Sequence, residues 1–91
     1  MMGEKSQKEL KVAVYWPPTS SQTGFKGEAV AVSSENKIGK FDILPEHTNF
    51  ITLIFNKLIV HTPEKKKKIE YTFKRGVLEV SENLVKVFLG I

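Results

Sequence analysis

Along most of this chain, hydrophobic residues recur at every second position in short runs, and no stretch keeps a helical period. Leu10, Val12, Val14 and Trp16 fall on one face of a first strand, with Lys11, Ala13 and Tyr15 on the other. Pro17 and Pro18 stop it, because neither can donate to a ladder. Thr19 to Gly24 reads as a polar loop. Phe25 to Val32 reads as a half-buried strand in which Gly27 suggests a bulge or a close backbone approach, and Ser33 to Lys37 as the turn that follows it. Ile38 to Leu44 is a short strand ended by Pro45.

Phe50 to Val60 is the most apolar part of the chain. Asn56-Lys57 divides it into two runs of strand length, a pattern that predicts a tight hairpin; its wealth of Ile, Phe, Thr and Val favours strands over one buried helix. After the charged connection Thr62 to Lys68, the residues Ile69, Tyr71 and Phe73 alternate with Glu70, Thr72 and Lys74. A further strand follows Arg75-Gly76 over Val77 to Val80, and Ser81-Glu82-Asn83 turns the chain into Leu84 to Leu89. Turn signals at intervals of about ten residues predict an all-β sandwich or barrel. Residues 1–9, polar and charged, are expected to form a flexible tail before a single domain over 10–91.

Ninety-one residues suffice for one small core and not for two. With no cysteine, disulfides, thiolate nucleophiles and cysteine-based metal sites are excluded. The start lacks the apolar run of a signal peptide, which leads us to expect a cytoplasmic location, and nothing approaches the roughly 18 apolar residues of a membrane span. The net charge of +4 comes from fourteen basic against ten acidic residues, and the run Lys65 to Lys68 accounts for the whole excess. A nucleic-acid surface needs basic residues spread over several elements with aromatic platforms between them, and that pattern is absent.

Two segments carry more information than the rest: Gly39-Lys40-Phe41-Asp42-Ile43-Leu44-Pro45-Glu46-His47, and Gly76-Val77-Leu78-Glu79-Val80-Ser81-Glu82-Asn83. In both residues and order this pair resembles the epsilon subunit of F-type ATP synthases, over roughly Leu10 to Gly90. The resemblance implies a single flattened β-sandwich of about eight to ten short strands, in agreement with the periodicity. It also implies a central-stalk subunit, non-catalytic by itself and without cofactor, that couples the gamma subunit to the ring of c subunits. Such a subunit sits peripherally on the cytoplasmic side of the cell membrane. In that family the loop that carries L-P-x-H lies at the ring-facing end, which makes Lys40, Glu46 and His47 the candidates for ring contact. The chain departs from the family pattern at Lys40, often acidic there, and at Asp42 and Arg75, where glycine is usual. It stops at Ile91, so the inhibitory and nucleotide-binding helical hairpin of many members is not expected.

Beside the contact reading, His47 is open to a role as a metal ligand or as an ordinary loop histidine, and His61 is expected to be structural. Asp42 is the sole aspartate, and no G-x-S-x-G turn supports a nucleophilic site. Trp16 and Phe50 are further interface candidates, with core or edge packing as the plainer role for Trp16. Lys65 to Lys68 reads as a solvated tip; the alternative is a stand-alone β-sandwich adaptor that binds a protein or polyanion through it.

Overall fold

The computed structural model describes residues 9–64 and 67–91; the expected tail over 1–8, and Lys65 and Lys66, lie outside the described residues. The chain is all-β. Among the described residues seven strands form, β1 (Leu10–Tyr15), β2 (Phe25–Ala29), β3 (Ala31–Glu35), β4 (Lys40–Ile43), β5 (Phe50–His61), β6 (Lys68–Ser81) and β7 (Leu84–Leu89). They join in the order β2-β1-β7-β6-β5-β3-β4. Val32 and Ile43, near one end of that order, share a single buried cluster with Leu10, Val12 and Val14 from near the other. The sheet therefore folds over itself into the two layers of a sandwich, as the alternation predicts.

Where the count falls short of the expected eight to ten, the cause is two long strands. Asn56-Lys57 does not turn the chain: β5 runs through it for 12 residues and pairs antiparallel with β6, itself 14 residues long. The register slips at this point, with Phe55 opposite Arg75 but Asn56 opposite Phe73, so Lys74 is an extra residue on β6. Asn56 takes a φ of 76°, a left-handed conformation that asparagine tolerates better than most residues. The bulge has a packing consequence. On β6 the inward positions are Ile69, Tyr71 and Phe73 before it, then Gly76, Leu78 and Val80 after it, while β5 keeps Ile54, Leu58 and Val60 inward throughout. Without the extra residue, one half of β6 would turn its apolar side to water.

The first half of β5 pairs with the part of β6 that carries β7, and its second half pairs with β3. The long hairpin is thus common to both layers. The expected strand over Phe25 to Val32 is broken at exposed Val30, because β2 pairs with β1 in one layer and β3 with β5 in the other. The residues Ser33 to Glu35, expected in a turn, belong to β3, and the turn falls instead over Asn36 to Gly39. β1 and β7 form a parallel pair, which closes the first layer.

Gly76 sits at a close approach of β6 to β7: a Cβ there would come 2.7 Å from the Phe88 carbonyl oxygen and 3.1 Å from a Leu89 methyl. Gly76→Ala is expected to cost about 1–3 kcal/mol through this overpacking, and Leu78→Ala, at a fully buried position, about 2–5 kcal/mol through a cavity. Urea unfolding checks both. A Gly76→Ala protein as stable as the parent would show that β6 and β7 separate more freely than this geometry allows.

Candidate interaction surfaces

The two sequence segments singled out above meet at one end of the molecule. Fully buried Ile43 anchors the end of β4, and the chain then turns, with His47 N–H donating to the Leu44 carbonyl at 3.1 Å. Pro45 supplies the fixed φ that such a turn prefers at its second position, and Glu46 takes a φ of 68° at the third, where glycine or asparagine is usual. Two asparagines hold this strained loop against the turn before β7. Glu46 N–H donates to Asn83 Oδ1 at 2.6 Å, and Glu82 N–H donates to Asn49 Oδ1 at 3.0 Å. Each side chain satisfies a backbone donor of the other turn, so the two turns form one rigid unit.

His47 Nδ1 donates to the Thr48 carbonyl at 2.7 Å, which fixes the orientation of the ring. The ring lies 5.1 Å from that of Phe50, and Phe50 meets Phe41 edge-on at 6.1 Å. Lys40, His47 and Phe50 line one groove of about 310 Å³ together with Ile38, Phe41 and Asp42. Glu46 is exposed on the same loop. Trp16 stands apart from these residues, beyond the end of β1, 6.2 Å from the ring of Tyr71, whose pKa burial raises. It borders a separate open hollow formed by Tyr15 to Pro18 and Gly24 to Lys26.

A second surface includes Ile51 and Leu53 of the Phe50 to Phe55 run, whose nearly unbroken apolar pattern predicts either burial on both sides or a patch covered by a partner. Leu53 pairs with Val77, Val77 with Phe88, and Phe88 with Tyr15, so four outward side chains lie in register across β5, β6, β7 and β1. Tyr15 and Phe88 stack at 5.2 Å, and Lys26 Nζ lies 5.9 Å from the Tyr15 ring. Leu53 is 46% exposed, Phe88 38% and Tyr15 36%, and Ile51, on the same face of β5, is 66% exposed. An apolar band that crosses four strands is the kind of area that marks a contact with another protein. Its signal in the sequence is weak, because its members are spread over 73 positions and only strand register joins them.

Elsewhere several polar groups are engaged with one another. Ser33 Oγ donates to Asp42 Oδ1 at 2.6 Å and lies 2.9 Å from His61 Nε2, a chain that ties β4, β3 and β5 together. The hydroxyl stands between carboxylate and imidazole, whereas a nucleophilic triad needs the imidazole in the middle. Among the described residues no three His, Asp or Glu side chains group as metal ligands. Of the lysine run, Lys67 lies 3.4 Å from Glu64 and Lys68 3.8 Å from Glu70, both pairs exposed. On the outer edge, Glu9 shares a hydrogen bond with Glu28, and this contact, with lesser contributions from burial and repulsion, raises the Glu9 pKa. No helix among the described residues is long and apolar enough to cross a membrane.

The family profile for the β-sandwich domain of the ATP synthase delta/epsilon chain matches residues 18–89. The chain belongs to this family. Among solved structures the sandwich is similar to a chain of the Euglena gracilis mitochondrial ATP synthase, from an assembly of OSCP, F1 and c-ring. The TM-score is 0.77 at 15% identity, over 98% of this chain and 56% of that one. A chain from the central stalk and c-ring of the Tetrahymena thermophila mitochondrial ATP synthase gives a TM-score of 0.70 at 14% identity, over 97% of this chain and 67% of that one. This chain therefore spans little more than half of the Euglena chain and two thirds of the Tetrahymena chain. No curated protein matches it by sequence. The delta/epsilon fold thus comes from a sequence profile and from shape together, and the two motif segments lie within the matched residues.

The asparagine clamp gives a local prediction. Asn49→Ala removes the acceptor of the Glu82 amide, and loss of about 1 kcal/mol should speed exchange of that amide by roughly fivefold. Amide exchange followed by NMR tests it. The same acceleration at Leu78, in the core, would mean that the change acts on global stability and that no local clamp exists.

Proposed function

We propose that this delta/epsilon-family chain is a central-stalk subunit of an ion-translocating F-type ATP synthase and couples the gamma subunit to the c ring as the rotor turns. Its part is mechanical. It is not catalytic by itself, it needs no cofactor, and it sits peripherally on the cytoplasmic side of the membrane through its partners. Gamma covers the apolar band of Leu53, Val77, Phe88 and Tyr15. The ring meets the loop end, through Lys40, Glu46 and His47.

The observation that carries this reading is the band itself, on a sandwich of this family. A coupling subunit must hold two neighbours in fixed relation, which calls for one adhesive face, a separate contact region and little give between them. The band supplies a face whose contact depends on apolar burial and is therefore insensitive to salt. The clamped turns supply a second region whose backbone donors are already satisfied. Ladder hydrogen bonds through β5 and β6 connect the two regions without an intervening loop.

Co-expression with the gamma subunit of the same organism tests the reading, with the complex followed by size-exclusion chromatography and light scattering. A one-to-one complex that survives an ionic strength of about 1 M is expected, since screening at that level removes most exposed charge contacts. Phe88→Glu, on an exposed position, should abolish co-elution while leaving the melting temperature within a few degrees of the parent. Failure of the parent chain to co-elute at any salt would remove gamma as the partner. Unchanged co-elution of Phe88→Glu would move the contact off this band.

A further inference from the structure

The groove at the loop end has a charge and a shape that specify what enters it. Its outer wall is the turn between β3 and β4, and that turn is rigid. Asn36 N–H donates to the Gly39 carbonyl at 2.9 Å, Gly39 N–H returns a bond to the Asn36 carbonyl at 3.1 Å, and Ile38 N–H donates to Asn36 Oδ1 at 2.9 Å. Gly39, at φ 146°, closes the turn in a conformation that side chains rarely adopt. The result is a branched apolar side chain held out in solvent, with Ile38 96% exposed. The opposite wall is the aromatic surface of Phe41, Phe50 and His47.

Two carboxylates neighbour Lys40 in the sheet and keep their charge, but among the described residues neither forms a salt bridge with it. Glu35 is its cross-strand partner but accepts from Asn56 Nδ2, and Asp42 accepts from Ser33 Oγ at 2.6 Å. Among the described residues Lys40 forms no salt bridge, and Lys37 adds a second exposed cation on the same turn. The groove thus has an aromatic wall, the Asp42 carboxylate in its lining, and Lys37 and Lys40 as exposed cations at its rim.

We propose that it receives an acidic loop of the partner, with one carboxylate on the Lys40 ammonium and one apolar side chain seated between Ile38 and the Phe50 ring. The inference rests on the ring-contact reading and adds the chemistry of the ring's polar loop: at the position that meets Lys40, that loop carries Asp or Glu beside an apolar residue. Charge complementarity supports a carboxylate in particular, since a cationic or neutral polar loop would leave the Lys40 ammonium desolvated without a counter-charge. Ile38 gains from contact only if the incoming group is apolar, because its own chain offers it no cover.

The test uses the full chain in its complex with gamma, titrated onto the purified c ring of the same organism at low and at high salt. Lys40→Glu is expected to weaken binding by roughly tenfold or more at low salt, with the difference shrinking at high salt. Replacement of the ring-loop carboxylate by Lys should restore binding of Lys40→Glu and impair that of the parent. Ile38→Ser should weaken binding at both salts. Both altered positions are exposed, so an unchanged melting temperature separates lost contact from lost fold. Equal or tighter ring binding by Lys40→Glu would overturn the acidic-loop inference and leave ring contact standing. If the parent complex binds the ring no better than gamma alone does, the ring-contact reading itself falls. Vesicles of anionic lipid without ring protein form the last arm, and retention of the parent chain on them as tightly as on the ring would replace the carboxylate loop by lipid phosphate.

Discussion

The structure depends on a single registration, the pairing of β5 with β6 through the Lys74 bulge. Each of these strands is too long to serve one layer, and each is shared by both. Hydrogen bonds alone would let a ladder of this length run on unchanged, but the core would not, because the inward set of β6 changes parity between Phe73 and Gly76. One extra residue converts that parity change into a continuous apolar interior. It leaves Asn56 at positive φ, with its side-chain amide bonded to Glu35 of β3, so the distortion is fixed from the neighbouring strand. Such local strain costs on the order of 1 kcal/mol, small against the burial of Ile54, Leu58, Leu78 and Val80 that it permits.

From that hairpin the placement of the surfaces follows. The first half of β5 and the second half of β6 lie in the layer with β7 and β1, so their outward residues align with those of two further strands. The same end of the hairpin pairs Phe50 with Val80, which brings the loop after β4 beside the turn before β7. Asn49 and Asn83 then lock the two turns. A segment such as Leu44 to His47, exposed and with a strained residue at its centre, would otherwise be among the more mobile parts of a small domain. Rigidity here is a matter of satisfied backbone donors, since little apolar area is buried at this tip.

Much of this was legible in the sequence, and the part that was not has a common cause. The alternation of Leu10 to Val14 and of Leu84 to Leu89, the stop at Pro45 and the turn at Ser81 to Asn83 are local patterns with local causes, and each is found where expected. The all-β sandwich followed from them, as did the family, through two segments that the fold brings together. Asn56-Lys57 misled because asparagine at positive φ serves a hairpin turn and a bulge equally well, and only the partner strand decides between them. Arg75-Gly76 carried the compensating signal, a change of phase in the apolar alternation, which reads equally as a break. Val30 continues the alternation of β2 into β3, so the passage from one layer to the other leaves no mark in the sequence. Of the candidate contact residues, Lys40, His47 and Phe50 share a groove, whereas Trp16 lies apart. Of the band, only the Leu53 part shows in the sequence, as the nearly unbroken apolar run Phe50 to Phe55; Tyr15, Val77 and Phe88 join it only through three strand registers.

The two surfaces differ in what they can discriminate. An apolar band provides contact free energy roughly in proportion to area and with little regard for the partner's charge, so by itself it holds firmly and selects poorly. A rim charge does the reverse: it contributes modestly to affinity, speeds encounter with an opposite charge and penalises a like one. Lys40 opens β4 beside a turn that carries no acid, and among the described residues it forms no salt bridge within the chain. Ile38 beside it is almost fully exposed and would add an apolar requirement to the proposed contact. Substitutions at the loop end can therefore retune which partner is accepted without loosening the core or the band, because no fully buried side chain belongs to the Asn36 to Gly39 turn. In a delta/epsilon-family sandwich, this separation allows the charge at the loop end to change while the fold stays intact.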